Sequence, residues 1–271
     1  MSDHLIQAID EKIAKSEEIL RQAVGRFGLE NIAVAWTGGK DSTLMLWIFR
    51  RLAVKEGFRL PKCMFIDEGD VFDEIREFVG RIALDWGIEL HEVSNRDVLS
   101  KVRSRGDCVI VSSLNEENRR ELARIEFSEE SFPFEPESLV GNHLMKTAVM
   151  NSFLKNHNIA ALATAIRWDE QPTRGQETPF SNRDDASPRH WRIHPLLHFT
   201  ERDIWTAIFA YNIPFCRLYE QGYRSLGARC GTVKSSDLPA WQQDLENTGE
   251  RNGRGQEKEM LMDRLRSLGY M

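Results

Sequence analysis

The chain has 271 residues, 41% of them hydrophobic and 29% charged, with a formal net charge of −6. This composition excludes a disordered or collagen-like chain, and the length is enough to bury a core without disulfides or metals. No apolar run approaches the ~18 residues of a membrane span, and the N-terminal stretch lacks the apolar centre of a signal peptide. The acidic balance argues against a broad nucleic-acid surface. Four widely spaced cysteines (Cys63, Cys108, Cys216, Cys230), with no CxxC, suit a reduced, cytoplasmic protein better than a disulfide framework.

Helical spacing of Leu5, Ile6, Ile9, Ile13, Ile19, Leu20 and Val24 predicts an amphipathic helix over residues 2–27, stopped by Gly28. Residues 31–36 form a short apolar run, the mark of a buried parallel strand. A helix is expected over 41–51, a strand over 62–66, a helix over 72–86 and a strand over 89–93. Residues 109–111 have strand character. The acidic stretch 116–139 holds eight acids and three arginines and reads as a loop or insertion. Then come a helix over 141–157, a strand over 159–166, and a polar loop over 178–188. A helix over 200–211 is capped by Thr200, and a charged tail begins at 233. Strands alternating with helices argue for an α/β fold: a parallel central sheet with helices on both faces. The expected organisation is an N-terminal helix (1–28), a central domain (29–232) and a C-terminal tail (233–271).

The sharpest feature is Thr37-Gly38-Gly39-Lys40-Asp41-Ser42, placed between a predicted strand and a predicted helix. Two glycines permit a tight turn and close approach of an anion to backbone amides. The helix start supplies free N–H groups and the positive end of the helix dipole. Thr37 and Ser42 add hydroxyls, and Lys40 adds a mobile point charge. The spacing is neither the Walker A pattern nor the dinucleotide GxGxxG pattern. The hexad resembles the PP-loop, usually S-G-G-x-D-S, of the ATP pyrophosphatase superfamily. That resemblance implies binding of ATP with Mg²⁺ and cleavage between the α- and β-phosphates. Gly38, Gly39, Lys40 and Ser42 would hold the leaving pyrophosphate, and Asp41 would orient the loop or bind the metal.

Two further blocks narrow the resemblance. One runs from Arg167 through Trp168, Asp169, Glu170 and Arg174 to Glu177. The other holds Arg192-Ile-His194-Pro195-Leu-Leu, Asp203-Ile-Trp205, Leu218-Tyr219 and Gly222-Tyr223-Arg-Ser225-Leu-Gly227. Together they resemble the phosphoadenosine phosphosulfate (PAPS) reductase family, which implies the adenine nucleotide α hydrolase-like fold. By carry-over, Arg167 and Arg174 would clamp the acceptor anion. Arg192, Gly222, Tyr223, Ser225 and Gly227 would hold nucleotide or acceptor, and Asp67 would border the adenosine. Trp168 is a candidate to lie against a ligand.

Within the family, departures discriminate. Ala228 and Gly231 stand where iron–sulfur members have cluster cysteines, so no cluster is expected. No cysteine follows Gly231, so the tail nucleophile of the reductases is missing. The Arg167–Glu177 block, together with Glu250-Arg251-Asn-Gly253-Arg254 and the terminal Gly269-Tyr270-Met271, resembles the small chain of heterodimeric sulfate adenylyltransferase. That implies AMP transfer to sulfate and a separate GTPase large subunit. FMN adenylylation is the alternative, and a sulfur-transfer or RNA-modifying role the more distant one. His190, His194 and His198 are four apart, but Pro195 breaks any shared helical face, which argues against a metal site.

Overall fold

The computed structural model describes residues 3–253, apart from 172, 173 and 185. The ending matched at Arg254 and at 269–271 lies outside them. Among the described residues eight strands form: β1 (Ile32–Ala35), β2 (Lys62–Ile66), β3 (Leu90–Val93), β4 (Cys108–Ile110), β5 (Ser131–Pro133), β6 (Ala161–Ala163), β7 (Phe180–Arg183) and β8 (His190–Ile193). The helices are α1 (Asp3–Phe27), α2 (Lys40–Glu56), α3 (Asp73–Trp86), α4 (Arg96–Leu99), α5 (Glu116–Arg124), α6 (Leu139–Asn142), α7 (Ala148–Asn156) and α8 (Glu201–Ala210). A π-helical stretch, His143–Thr147, joins α6 to α7. Among the described residues, no helix is long and apolar enough to cross a membrane.

Six strands make one sheet in the order β3-β2-β1-β6-β8-β7, all parallel except β7. Alternation along β1 assigns the two faces. Ile32 and Val34 join a core with Ile13 and Leu20 of α1, Leu44 and Phe49 of α2, Phe78 of α3 and Ile208 of α8. Ala33 and Ala35 turn the other way, onto Met150, Phe153 and Leu154 of α7. Both faces are thus covered, as a parallel sheet requires. The chain builds β1, β2 and β3 outward on one side, then returns to place β6 on the other side of β1. The loops leaving the carboxyl ends of β1 and β6 therefore meet at the switch point, where open α/β sheets bind ligands.

Two expectations are corrected. The 178–188 loop contains β7, whose residues pair antiparallel with β8 from Phe180↔Ile193 to Arg183↔His190. This strand carries no apolar alternation: Asn182 is exposed, and Ser181, partly buried, donates to the Glu177 carboxylate at 2.8 Å. The acidic stretch 116–139 is not a plain loop. Asn115 caps α5 by accepting the Asn118 N–H at 2.8 Å, and β5 pairs with β4. Val109, Leu122, Phe132 and Phe134 bury there in a second core with Leu144 and Met145. The Thr200 cap is present as a full capping box: its hydroxyl accepts from the Asp203 N–H (3.2 Å), and the Asp203 carboxylate accepts from the Thr200 N–H (2.7 Å).

Candidate active site

The loop between β1 and α2 has the conformation its glycines imply. Gly38 has φ +75°, and a Cβ there would lie 2.9 Å from side-chain methyls of Ile75 and Val79. At Gly39 a Cβ would meet Thr37 Oγ1 at 3.3 Å and the Tyr219 hydroxyl at 3.4 Å. Ser42 and Thr37 knit the turn: their hydroxyls are 3.1 Å apart, and Ser42 Oγ donates to Gly39 O at 3.1 Å. The Trp36 indole anchors the strand end by donating to Thr43 Oγ1 at 3.1 Å. One helix-start amide is already used, since Lys40 N–H donates to the Tyr219 hydroxyl oxygen at 2.9 Å.

Lys40 is not the mobile point charge expected from the sequence. Its side chain is 1% exposed and points into a buried ionic cluster. Its ammonium lies 3.2 Å from Asp41, 3.8 Å from Glu201 and in direct contact with Glu250. Arg167, at the end of β6 and fully buried, bonds Asp169 at 2.8 Å and contacts both Asp41 and Glu250. One Glu250 oxygen meets Lys40 and the other meets Arg167. Burial alone would push the Lys40 and Arg167 cations toward neutrality. The surrounding carboxylates outweigh it and hold both well above their usual values. Glu250 is driven far below the carboxylate range by the same pair, against its own burial. Burial raises Asp41, with Arg167 and Lys40 opposing.

Behind Lys40 stand two residues the sequence reading passed over. Glu201, the first residue of α8, is buried and takes a forked contact from Arg224 (2.9 Å to Nε, 2.7 Å to Nη2). The Lys40 ammonium also reaches the Arg224 carbonyl at 3.4 Å. Glu201 follows the Thr200 cap and Arg224 lies within Gly222–Gly227, both far from Lys40 in sequence. Tyr219 was likewise quoted only as part of a motif.

A cavity of about 130 Å³ lies beside the loop, lined by Ala35, Thr37, Met64, Phe65, Val71 and Met150, with Glu68, Lys146 and Gly227 at its wall. It is largely apolar. Glu68 is buried and pairs with Lys146 at 2.5 Å. Asp67, the residue singled out from the sequence, turns away: it accepts from Gly69 N–H at 2.9 Å and pairs with Arg76 at 2.6 Å.

The other predicted residues scatter around this centre. Gly227 joins the cavity wall. Arg174 contacts Glu170, which Arg251 also meets at 3.0 Å, so it stands one carboxylate away from Arg251 and the tail. Arg192 is buried in β8, donating to His190 Nε2 at 2.8 Å and lying 3.2 Å from the sulfur of Met150; it sits behind the cavity lining rather than on the loop. Gly222 has φ +95°, and a Cβ there would strike Ser236 O at 1.7 Å, so its need is close packing. Tyr223 stacks edge-on against Phe72 at 5.5 Å, and Ser225 is buried. Trp168 is 40% exposed, its indole donating to Glu177 O at 2.9 Å.

The three histidines go to separate partners. His190 Nδ1 meets Pro188 O at 2.9 Å, His194 shares a 2.8 Å hydrogen bond with Thr164 Oγ1, and His198 meets Lys12 O at 2.9 Å. Among the described residues no group of three His, Cys, Asp or Glu side chains could hold a metal ion. Burial and a hydrogen bond with Asp70 push the Cys230 thiol up to about 12.

A sulfate adenylyltransferase subunit 2 of Alkalilimnicola ehrlichii is 28% identical over 94% of this chain and 78% of its own. A probable FAD synthase of Caenorhabditis briggsae is 25% identical over 84% of this chain, which spans only 35% of that protein. The crystal structure of Candida glabrata FMN adenylyltransferase with FMN and the ATP analog AMPCPP has the same fold, with TM-score 0.63 and 23% identity, covering 96% of this chain and 76% of that one. Residues 31–234 match the phosphoadenosine phosphosulfate reductase domain, and the chain belongs to that family.

Proposed function

We propose that this chain transfers the adenylyl group of ATP to an oxyanion acceptor, with sulfate as that acceptor. The observation that carries the reading is the pair Lys40 and Arg167, two buried cations converging beside a glycine loop on one bridging carboxylate. Such a pair suits an anion with several negative oxygens. In the reaction an acceptor oxygen attacks the α-phosphorus. The bond from that phosphorus to the bridging oxygen breaks, and its electron pair leaves with pyrophosphate. Negative charge grows on the leaving group, so positioned cations and N–H donors supply the rate. Lys40, the Gly38 and Gly39 amides and the Ser42 hydroxyl take that role. The apolar cavity beside Thr37 takes the adenine ring, Arg167 spans the phosphates and the acceptor, and Arg174 faces the acceptor.

Mg²⁺ is commonly held by one or two carboxylates plus substrate phosphates. Asp41 suits that mode as the carboxylate of the loop, and the ion would neutralise phosphate charge there. In this structure both Asp41 oxygens face cations, Arg167 and Lys40, so its first duty is as their counter-ion. The protonated, hydrogen-bonded Cys230 thiol is unsuited to nucleophilic attack on sulfur, which supports adenylyl transfer over reduction. The subunit 2 name of the Alkalilimnicola relative supports a second chain, for which a GTPase subunit is the proposal. FMN is the second acceptor to consider, favoured by the Caenorhabditis relative.

The test is pyrophosphate release from Mg-ATP with sulfate or molybdate, with and without the GTPase chain, and separately with FMN. Release with sulfate or molybdate is expected. Release with FMN alone would change the acceptor, and a chain that binds no ATP would overturn adenylyl transfer.

A further inference from the structure

We propose that Glu250 is an internal substitute for phosphate: its segment closes the cradle in the absence of nucleotide and withdraws when the phosphates of ATP enter. This rests on the nucleotide reading above and adds a gate to it.

Three observations carry the proposal. First, Glu250 engages the cradle as a phosphate would, one oxygen on the Lys40 ammonium and the other on the Arg167 guanidinium. Its side chain is 7% exposed, so the seat is filled. A polyphosphate brought to the same two cations would lie against this carboxylate. Like charges in contact in a buried site repel strongly, so one anion must leave.

Second, apart from Leu245, which packs against the main core, the segment is held by polar contacts. Arg224 donates to the carbonyls of Asp244 (3.1 Å) and Leu245 (3.2 Å), Arg202 contacts Glu246 at an exposed pair, and Arg251 reaches Glu170 at 3.0 Å. Glu250 opens a single 3₁₀ turn, Glu250–Gly253, and belongs to no strand or long helix. Third, there is space to retreat. A cavity of about 530 Å³ lies between Asp169, Glu201, Arg224 and residues 245–250. Another of about 370 Å³ lies between residues 233–236 and 242–249. A close-packed strap would have neither.

The gate also explains how Lys40 can be buried and still meet substrate. While the nucleotide is absent, Glu250 compensates two buried cations whose exposure to an apolar interior alone would be costly. When phosphate arrives, the compensation is exchanged, not lost. Arg224 connects both halves of the switch, since it grips Glu201 beside Lys40 and the backbone of the segment at once.

The experiment uses the full chain. Binding of inorganic pyrophosphate and of AMPCPP is measured by calorimetry for wild type, Glu250→Gln and Glu250→Ala, with thermal melts to establish folding. Removing the competing carboxylate is expected to tighten both ligands about ten-fold, the factor for a seat closed about nine-tenths of the time. Amide exchange on the wild type, which needs no variant, is expected to speed up over residues 244–251 when pyrophosphate is added. Weaker or unchanged binding in the folded variants, or slower exchange on ligand addition, would overturn the gate and make Glu250 a permanent part of the site. Failure of wild type and both variants to bind either ligand would sink the nucleotide reading and this proposal with it.

Discussion

The loop of residues 37–42 and the segment of residues 244–251 meet at the same two cations, yet they reach them by opposite routes. The loop is set by its own sequence. Gly38 takes a positive φ that its neighbours Ile75 and Val79 leave no room to decorate, and two hydroxyls close the turn. The segment forms no such pattern. Glu250 lies 210 positions from Lys40 in the chain, and Arg224 brings it there through backbone carbonyls. Steric demands are local and legible; charge compensation is satisfied by whichever part of the chain the fold delivers.

The largest expected effect comes from the shared cation. Lys40→Ala removes the principal electrostatic partner of a leaving pyrophosphate, and loss of one such group costs about 100- to 1,000-fold in rate. The substitution also disturbs the buried cluster. Glu250 and Glu201 would be left buried with less positive charge beside them, so the variant should also melt at lower temperature. Pyrophosphate release and a thermal melt on the same preparation check both halves. Near wild-type release would show that the loop does not hold the leaving group.

Gly38→Ala probes the locally determined side of the comparison. A Cβ at φ +75° must push aside methyls 2.9 Å away, and the conformation itself disfavours an L side chain. The two costs together amount to about 3 kcal/mol. Denaturant unfolding measures it; a loss below about 1 kcal/mol would mean the turn relaxes freely and the glycine serves ligand approach instead.

What could be read in advance follows the same division. The sheet strands and most helices were legible because apolar periodicity records burial, and the hexad because its glycines and hydroxyls are contiguous. The strand β7 was not, since its Ser181 and Arg183 bind the Glu177 carboxylate and leave no apolar alternation. The α5 region was hidden by charge: its surface acids mask Leu122 and Phe132, which bury in a separate core. At the site, Asp67 was chosen for lying at a strand end, whereas the side chain facing the cavity belongs to its neighbour Glu68. Arg167 follows the strand expected over 159–166, and the fold buries it in the ionic cluster. Glu201, Arg224 and Tyr219 carry no local signature for what they touch across the fold.

His194 sets against the buried ion pairs of the cluster a buried group that stays neutral. Burial, with Arg192 and Arg183 adding repulsion and Glu177 opposing, lowers its pKa from 6.5 to about 3. Because the folded value lies below the unfolded one, the unfolded chain takes up the proton first. Stability is then unaffected above pH 6.5 and falls progressively as the pH drops toward 3. At ~1.4 kcal/mol per unit, this group removes about 2 kcal/mol between pH 6.5 and 4.5. Denaturation of wild type and His194→Gln across that range should show a shallower decline in the variant. Parallel curves would mean that His194 protonates freely in the native protein.

The smallest effect is expected at Arg174, and it separates two readings of the same arginine pair. Arg167 is fully buried and touches the cluster directly, whereas Arg174 is 10% exposed in its side chain and meets Glu170. Glu170 is shared with Arg251, which follows Glu250 in the C-terminal segment. Arg174→Ala therefore leaves Glu170 to Arg251 alone and leaves Lys40 and Arg167 with all their partners. If Arg174 faces the acceptor, the acceptor KM should rise by about 5-fold, equivalent to the ~1 kcal/mol net worth of one hydrogen bond, with the ATP KM unchanged. If the ATP KM rises instead, the tighter hold of Arg251 on Glu170 is restraining the segment that carries Glu250. Arg174 then acts on nucleotide entry, and the clamp on the acceptor reduces to Arg167.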